Sequence, residues 1–199
     1  RANRSQLEQM IEHFDHIAEF RAASVVASFF LDQENRDQAQ WAADLLQRTR
    51  LADQSNVAVL ILDHGVNHGH QLLSILLDPS DKHTVIPSWG THDHHGHGTL
   101  MAGLAGYGNL LEHLQSAGQV LLSHRLESAK ILPPPTQEPT PKRLWGLYTA
   151  QGISLAERQA PERKPIICMA VSSLDKGERG RPSSWSAEVD ALCSGASDE

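Results

Sequence analysis

The sequence predicts an α/β fold with a mostly parallel sheet flanked by helices, preceded by a helical N-terminal extension. Two apolar runs, residues 57–62 and 166–171, have the length and continuity of strands that are buried on both faces, and residues 126–132 suggest a further strand that the following prolines halt. Helical patterns stand between and after these runs. Strands that alternate with helices build a parallel sheet, because each helix carries the chain back before the next strand begins.

Residues 1–55 are predicted to form the helical extension, and residues 56–199 the α/β domain. Apolar residues at spacings of three and four between residues 7 and 18 are typical of an amphipathic helix. A second helix is predicted over residues 37–50, with Asp32 and Asn35 as plausible N-caps. Residues 24–30 fit either a continued helix or a strand. We interpret the extension as a packing element rather than an inhibitory prodomain, since a helical pattern alone carries no functional information.

After the first strand, the sequence predicts a helix of small residues, a proline-rich loop and two further helices. Residues 99–105 are small and apolar, which suits a helix packed tightly in the core. Residues 133–142 contain five prolines and are predicted to be a loop. A helix then runs to residue 159, and a last helix over residues 185–192 has Ser183 or Ser184 as its cap.

Composition and charge restrict the partners and the compartment. A formal charge of -7 argues against nucleic acid or an anionic membrane as the main partner. The longest apolar run is far shorter than the roughly 18 residues that cross a bilayer. Two cysteines give no disulfide framework, and Cys168 is predicted to be a small core residue. The small number of cysteines favours a reducing cytoplasm. No signal peptide is recognised at the start of the sequence, but secretion stays open because the natural N-terminus could lie upstream.

Two segments place an acid and a base where catalysis could use them. Asp63 ends the first apolar run and precedes a glycine turn, and His97 lies between two glycines at the start of the small-residue helix. Open α/β sheets bind ligands outside the carboxyl ends of their strands. A carboxylate there can hold an imidazole in one tautomer and stabilise its charged form. We therefore predict that Asp63 and His97 face each other within hydrogen-bond reach, roughly 2.6–3.2 Å.

In this order the two segments resemble the subtilisin-like serine peptidases, or subtilases, whose catalytic residues follow the chain order Asp, His, Ser. The closest likeness lies in residues 96–103, which read Gly-His-Gly-Thr-Leu-Met-Ala-Gly. The resemblance covers about residues 57–195. It implies that Asp63 and His97 are catalytic, that the substrate is a polypeptide, and that no cofactor is needed. His64 stands where the family usually has a small hydroxyl residue.

No segment of this sequence matches the part of the family that carries the third catalytic residue, the serine. No Gly-Thr-Ser followed by small residues occurs in the 199 residues. We therefore expect the chain to be the N-terminal part of a catalytic domain, inactive as a peptidase on its own. A nucleophile-less module that binds peptides is the alternative.

Residues near His97 are assigned supporting roles. Gly98 would let the backbone approach the imidazole, and Thr99 would cap the helix. Ala102 and Gly103 would let that helix pack hard against the sheet. Asp93, shortly before the histidine, is more simply a loop former than a catalyst. His70 is likewise predicted to be structural.

Residues 167–172 resemble the family strand whose outer edge pairs with extended substrate. The resemblance implies that the main-chain groups of Ala170, Val171 and Ser172 bind peptide. Ser172 replaces the usual glycine, so that its side chain could narrow the pocket. A plain core strand is the alternative for this segment.

Histidines crowd two loops, and imidazole is a common zinc ligand. They are His64, His68, His70, His92, His94, His95 and His97. The chain lacks a His-Glu-x-x-His helix, and its cysteines are too far apart for a zinc knuckle. We therefore predict no metal site, with a metal hydrolase as a weaker alternative.

Overall fold

The computed structural model of the chain describes residues 4–14, 16, 28–52, 56–173 and 180–195. The chain divides into a small unit, Arg1–Asp32, and a large unit, Gln33–Glu199. The helices are α1 (Arg4–His13), α2 (Ser28–Leu31), α3 (Asn35–Arg48), α4 (His97–Tyr107), α5 (Leu110–Gln115), α6 (Trp145–Gln159) and α7 (Ser184–Ser194). The strands are β1 (Thr49–Leu51), β2 (Val57–Asp63), β3 (Lys82–Thr84), β4 (Val120–Leu122), β5 (Arg125–Lys130) and β6 (Lys164–Cys168).

The small unit contains α1 and α2. The first predicted helix is present but ends at His13, earlier than expected. Residue 15 and residues 17–27 lie outside the described residues, so the two alternatives for residues 24–27, a continued helix or a strand, stay predictions.

The main sheet of the large unit has the strand order β3-β5-β2-β6, and every pair is parallel. This confirms the predicted α/β class. Leu60 and Leu62 of β2 pack into one core cluster, while Ile61 between them packs into the other. Successive side chains of a strand point to opposite faces, so the sheet is covered on both sides. The cluster around Ile61 includes residues of α3 and α4, and the other includes residues of α6.

The third predicted strand differs from its prediction. It ends at Cys168, and Ile166 and Ile167 are 56% and 41% exposed. Within the described part of the chain β6 pairs with β2 alone, so it is the edge of the sheet rather than a buried strand. Cys168 is only partly buried at the margin of the core.

The helix caps were partly predicted. Ser183 caps α7 and exchanges hydrogen bonds with Ser186, which confirms one of the two serines predicted there. The cap position of α3 is Glu34, and its side chain makes no capping bond, so the prediction of Asp32 or Asn35 was wrong. Among the described residues, no helix has the length and apolarity that a bilayer span requires.

α3 belongs to the large unit, where Leu45 is fully buried in the core and the helix runs directly into β1. The division predicted between residues 55 and 56 stays a prediction.

Candidate active site

Asp63 is the last residue of β2, between β5 and β6 in the middle of the sheet. It is 1% exposed, and its carboxylate lies at the carboxyl end of the parallel strands. Its main chain continues into Gly65, where φ is +100° and a Cβ would lie 2.5 Å from the Thr91 carbonyl oxygen. A glycine is therefore required for the turn that leaves the strand.

His97 is the first residue of α4, and its Nδ1 lies 2.7 Å from Oδ2 of Asp63. The predicted contact between these side chains is confirmed. A carboxylate oxygen only accepts, so Nδ1 carries the hydrogen and Nε2 of the neutral ring is the free acceptor. The His97 side chain is 47% exposed, whereas the Asp63 side chain is buried. The free nitrogen of His97 can therefore act as a base on the solvent side, while the buried carboxylate of Asp63 holds the ring from beneath.

Hydrogen bonds keep the Asp63 carboxylate ionised. Burial is the largest influence and by itself would raise the pKa of Asp63. Hydrogen bonds from the His64 ring, from the His64 backbone and from His97 together lower that pKa below its ordinary value. The site thus holds a buried negative charge matched by directed donors.

A second carboxylate, Asp93, fixes the position of His97. Its Oδ1 accepts the backbone N–H groups of His95 and Gly96, and its Oδ2 accepts the N–H and the hydroxyl of Thr99. Burial alone would raise the pKa of Asp93, but the bonds from Thr99, His95 and Gly96 lower it. Asp93 is thus the loop former that was predicted and also caps α4. Thr99 is not the cap, because its hydroxyl donates to Asp93.

Asn67 ties this loop to the turn after β2. Its side chain donates to the Asp93 carbonyl at 2.8 Å and accepts the Asp93 N–H at 3.0 Å. Its own N–H donates to the Thr99 hydroxyl at 3.1 Å. The two loops that carry Asp63 and His97 are therefore joined by direct hydrogen bonds, which sequence reasoning missed.

The glycines of α4 act differently from their prediction. A Cβ on Gly98 would collide with the Gly65 carbonyl oxygen and crowd Asp63, so Gly98 brings α4 close to the turn rather than to the imidazole. Gly103 faces open space. The residues of α4 that pack closely are instead Gly106 and Ala102. A Cβ on Gly106 would lie 2.5 Å from the Leu76 side chain, and Ala102 is fully buried.

Lys130 is a fully buried cation opposite Asp63 in the register of β2 and β5. Its Nζ donates to the His92 carbonyl at 2.7 Å and so supports the histidine loop from the sheet. Burial lowers the pKa of Lys130, and the charge of Asp93 partly opposes that shift. The sequence signal was a lysine within the predicted strand 126–132, a segment that sequence reasoning treated as scaffold.

His64 brings a second imidazole to Asp63. Its Nδ1 lies 2.9 Å from Oδ1, and its backbone N–H donates to the same oxygen at 2.7 Å. The ring of His95 packs against it, with centroids 4.2 Å apart. Sequence reasoning recorded His64 as a departure from the family and as one of the loop histidines, but missed this contact.

The predicted peptide-binding residues lie in the irregular segment after β6, not within a strand. Val171 and Ser172 line a cavity of about 320 Å³ that also reaches His64, while Ala170 is exposed and does not line it. The remaining walls are apolar and aromatic for the most part. They include Pro133, Pro134, Pro135, Trp145, Tyr148 and Trp185.

The other histidines of the loops have partners within the protein. His68 Nδ1 lies 3.1 Å from Lys82 Nζ, and His70 Nδ1 accepts the Leu72 N–H at 3.3 Å, as suits a structural residue. Across the described ranges, no three His, Cys, Asp or Glu side chains are grouped so that they could hold a metal ion.

A His–Asp couple at the carboxyl edge of a parallel sheet lies where such sheets bind ligands, and it can perform acid–base chemistry there. The family model of the subtilases, Peptidase S8, matches residues 54–199. The chain therefore belongs to the subtilase family, which are serine peptidases that act on polypeptides. No curated protein and no solved structure matches the chain.

Proposed function

We propose that this chain carries the Asp and His of a Ser-His-Asp triad that hydrolyses peptide bonds, with the serine elsewhere in the complete gene product. The observation that supports it is the 2.7 Å contact between His97 Nδ1 and Asp63 Oδ2, on an imidazole half open to solvent. The absence of Gly-Thr-Ser from the 199 residues leads us to expect no peptidase activity from this chain alone.

In the proposed reaction His97 Nε2 takes the proton of the serine hydroxyl as the oxygen attacks the peptide carbonyl carbon. The same nitrogen then returns the proton to the leaving amine, and water repeats the sequence to release the acid. Asp63 holds the imidazole in the tautomer that leaves Nε2 free and stabilises the imidazolium while it lasts. The lowered pKa of Asp63 suits this role because the group stays charged throughout.

We further propose that peptide lies along the segment that follows β6, bound by main-chain groups of Ala170, Val171 and Ser172. Support comes from the edge of β6, which pairs with β2 alone in the part of the chain that the structure describes, and from the cavity that Val171 and Ser172 share with His64 beside the couple. Added strands bind through backbone hydrogen bonds, so affinity depends weakly on substrate sequence at these positions.

The test is labelling of the complete gene product with a fluorophosphonate, in which serine oxygen displaces fluoride from phosphorus. We expect the wild-type protein to label and Asp63→Asn to label more slowly by a factor on the order of 10⁴, because the wrong tautomer of His97 is then favoured. His97→Ala should label at a comparably low rate. His94→Ala, which removes an exposed histidine of the same loop, is the matched control and should label normally.

Two results would replace the proposal. A complete protein that never labels but binds extended peptides is the nucleophile-less module. Hydrolysis that ignores fluorophosphonate and stops with a chelator would indicate the metal hydrolase. The 199-residue chain should stay unlabelled throughout.

A further inference from the structure

We infer that His64 is a positioning residue, whose imidazole holds Oδ1 of Asp63 so that Oδ2 stays directed at His97. This inference rests on the proposed function of the Asp63–His97 couple, and it assigns a role to the one residue at this turn that departs from the family pattern.

The first step is the division of the Asp63 carboxylate between two rings. Oδ2 accepts from His97 at 2.7 Å, and Oδ1 accepts from the His64 ring at 2.9 Å and from the His64 backbone at 2.7 Å. The torsion that rotates an aspartate carboxylate is broad, so donors rather than rotamer preference must fix its plane. With donors on both oxygens, rotation would break bonds at both ends of the group.

The second step concerns the direction of the His64 hydrogen bond. Because a carboxylate oxygen only accepts, His64 must carry its hydrogen on Nδ1. A serine or threonine hydroxyl, which the family usually has here, rotates and can donate elsewhere. An imidazole whose Nδ1–H faces the carboxylate has no such freedom unless the whole ring turns.

The third step is the support of the His64 ring itself. Its side chain is about one quarter exposed, and the His95 ring lies 4.2 Å away, centroid to centroid. The His95 backbone donates to Asp93, the same carboxylate that fixes the start of α4. One connected set of contacts therefore places His64, the Asp63 carboxylate and His97.

The first experiment measures ring N–H signals by NMR in the 199-residue chain labelled with ¹⁵N-histidine, and needs no peptidase activity. We expect exchange-protected, downfield Nδ1–H protons from both His97 and His64, assigned by their loss in His97→Gln and His64→Leu. In His64→Leu the His97 signal should also lose protection, and His64→Asn, which restores a side-chain N–H donor, should return it. His94→Asn is the matched control and should leave both signals in place.

The inference is wrong if the His97 signal is unchanged in a folded His64→Leu chain. Wild-type ¹⁵N shifts decide the question even if His64→Leu fails to fold. A His64 ring with its hydrogen on Nε2 instead of Nδ1 cannot donate to Asp63 and would overturn the inference.

The second experiment measures fluorophosphonate labelling of the complete gene product. His64→Leu should lower the labelling rate by roughly tenfold to a hundredfold, the order expected when a catalytic group is misplaced, and His64→Asn should recover most of it. Equal rates for wild type and His64→Leu would overturn the inference. If the wild-type protein itself never labels, the proposed function fails, while the NMR result still decides whether His64 positions Asp63.

Discussion

Asp63 combines burial with charge, and such a group destabilises a fold unless donors surround it. Here three hydrogen bonds meet the carboxylate, two from His64 and one from His97. Removing either ring leaves a buried oxygen short of a partner, which costs more than the bond itself contributes. The same bonds therefore serve both the stability of this turn and the orientation of His97.

Two glycines of α4 give a matched test of close approach. Gly98→Ala should lower the free energy of unfolding by about 1–3 kcal/mol, because its methyl would overlap the Gly65 carbonyl oxygen. Gly103→Ala should raise it by about 0.5–1 kcal/mol, since the site is open and alanine restricts the unfolded chain. Urea unfolding of both variants checks this pair. Equal effects would mean that α4 does not approach the turn as closely as described.

At the residue scale, the sequence predicted the contact of Asp63 with His97 but not its supports. An Asp at a strand end and a His at a helix start meet whenever the two elements share one edge of the sheet. The contacts of Asn67 and Lys130 could not be predicted, because their partners are backbone groups of loops distant in sequence. Only the fold brings those groups together.

At the level of elements, α4 begins where the loop supplies acceptors for its first N–H groups. Gly96 holds the cap position with φ of +79° and makes no side-chain bond. Asp93, three residues before Gly96, accepts the N–H groups of Gly96 and Thr99 in place of a cap side chain. It also brings a negative charge to the N-terminal end of α4. The helix start, and with it His97, depends on one carboxylate.

Asp93→Asn should therefore destabilise the large unit in a pH-dependent way. At neutral pH the expected loss is about 1–3 kcal/mol, because an amide nitrogen would face N–H donors in a buried site. The folded pKa of Asp93 is lowered, so its charge stabilises the fold above the unfolded pKa of about 3.9, and this contribution is lost as the pH falls through the folded value. The difference in the free energy of unfolding between wild type and Asp93→Asn should be at its largest at pH 6 and should disappear as the pH falls below about 4.

Thermal unfolding across this pH range measures that gap. Asp78→Asn is the matched control, since Asp78 is an exposed carboxylate that caps a single turn through Ser80. It should shift the midpoint much less. A gap for Asp93→Asn that stays constant with pH would contradict a charged Asp93.

Element prediction succeeded for β2, α4, α6 and α7, where long apolar or periodic patterns lie between clear breakers. It was wrong about the burial of β6. An apolar strand at the edge of a sheet has the same composition as one in the middle, so sequence alone cannot tell which neighbours it will have. The cap of α3 was missed because Asp32 and Asn35 are residue types that commonly cap helices, whereas the cap position is held by Glu34, whose side chain makes no capping bond.

On the scale of the whole molecule, the exposed edge of β6 should govern association. Ile166 is 56% exposed on a strand that, among the described residues, is paired on one side only. Open apolar edges template pairing with other chains, and a lysine there opposes it. We expect the 199-residue chain to associate with rising concentration and Ile166→Lys to reduce this association.

Sedimentation velocity over a concentration series tests this expectation. Leu100→Lys is the matched control, because Leu100 is 70% exposed but lies on the helix α4 and not on the edge strand β6. Its distribution should follow the wild type. If both lysines reduce association equally, general hydrophobicity rather than the β6 edge is responsible.

The family and the α/β class were accessible from sequence because both depend on local patterns, the strand runs and the Gly-His-Gly helix start. The strand order β3-β5-β2-β6 was not. Pairing of β5 and β6 on either side of β2 depends on the competition of all strands for the same neighbours, and no single segment encodes it.

Because β2 lies in the middle of the sheet, the local structure around Asp63 opens less readily than the local structure around His97. Backbone hydrogen bonds hold β2 to a strand on each side, so its amide protons exchange with solvent only when the sheet itself opens. His97 belongs to the first turn of a helix, and its ring is half in water. A local opening of that turn separates the couple while the sheet stays closed. The imidazole would then be the partner that moves, while the Asp63 carboxylate stays on the closed sheet and keeps the hydrogen bond from the His64 backbone N–H.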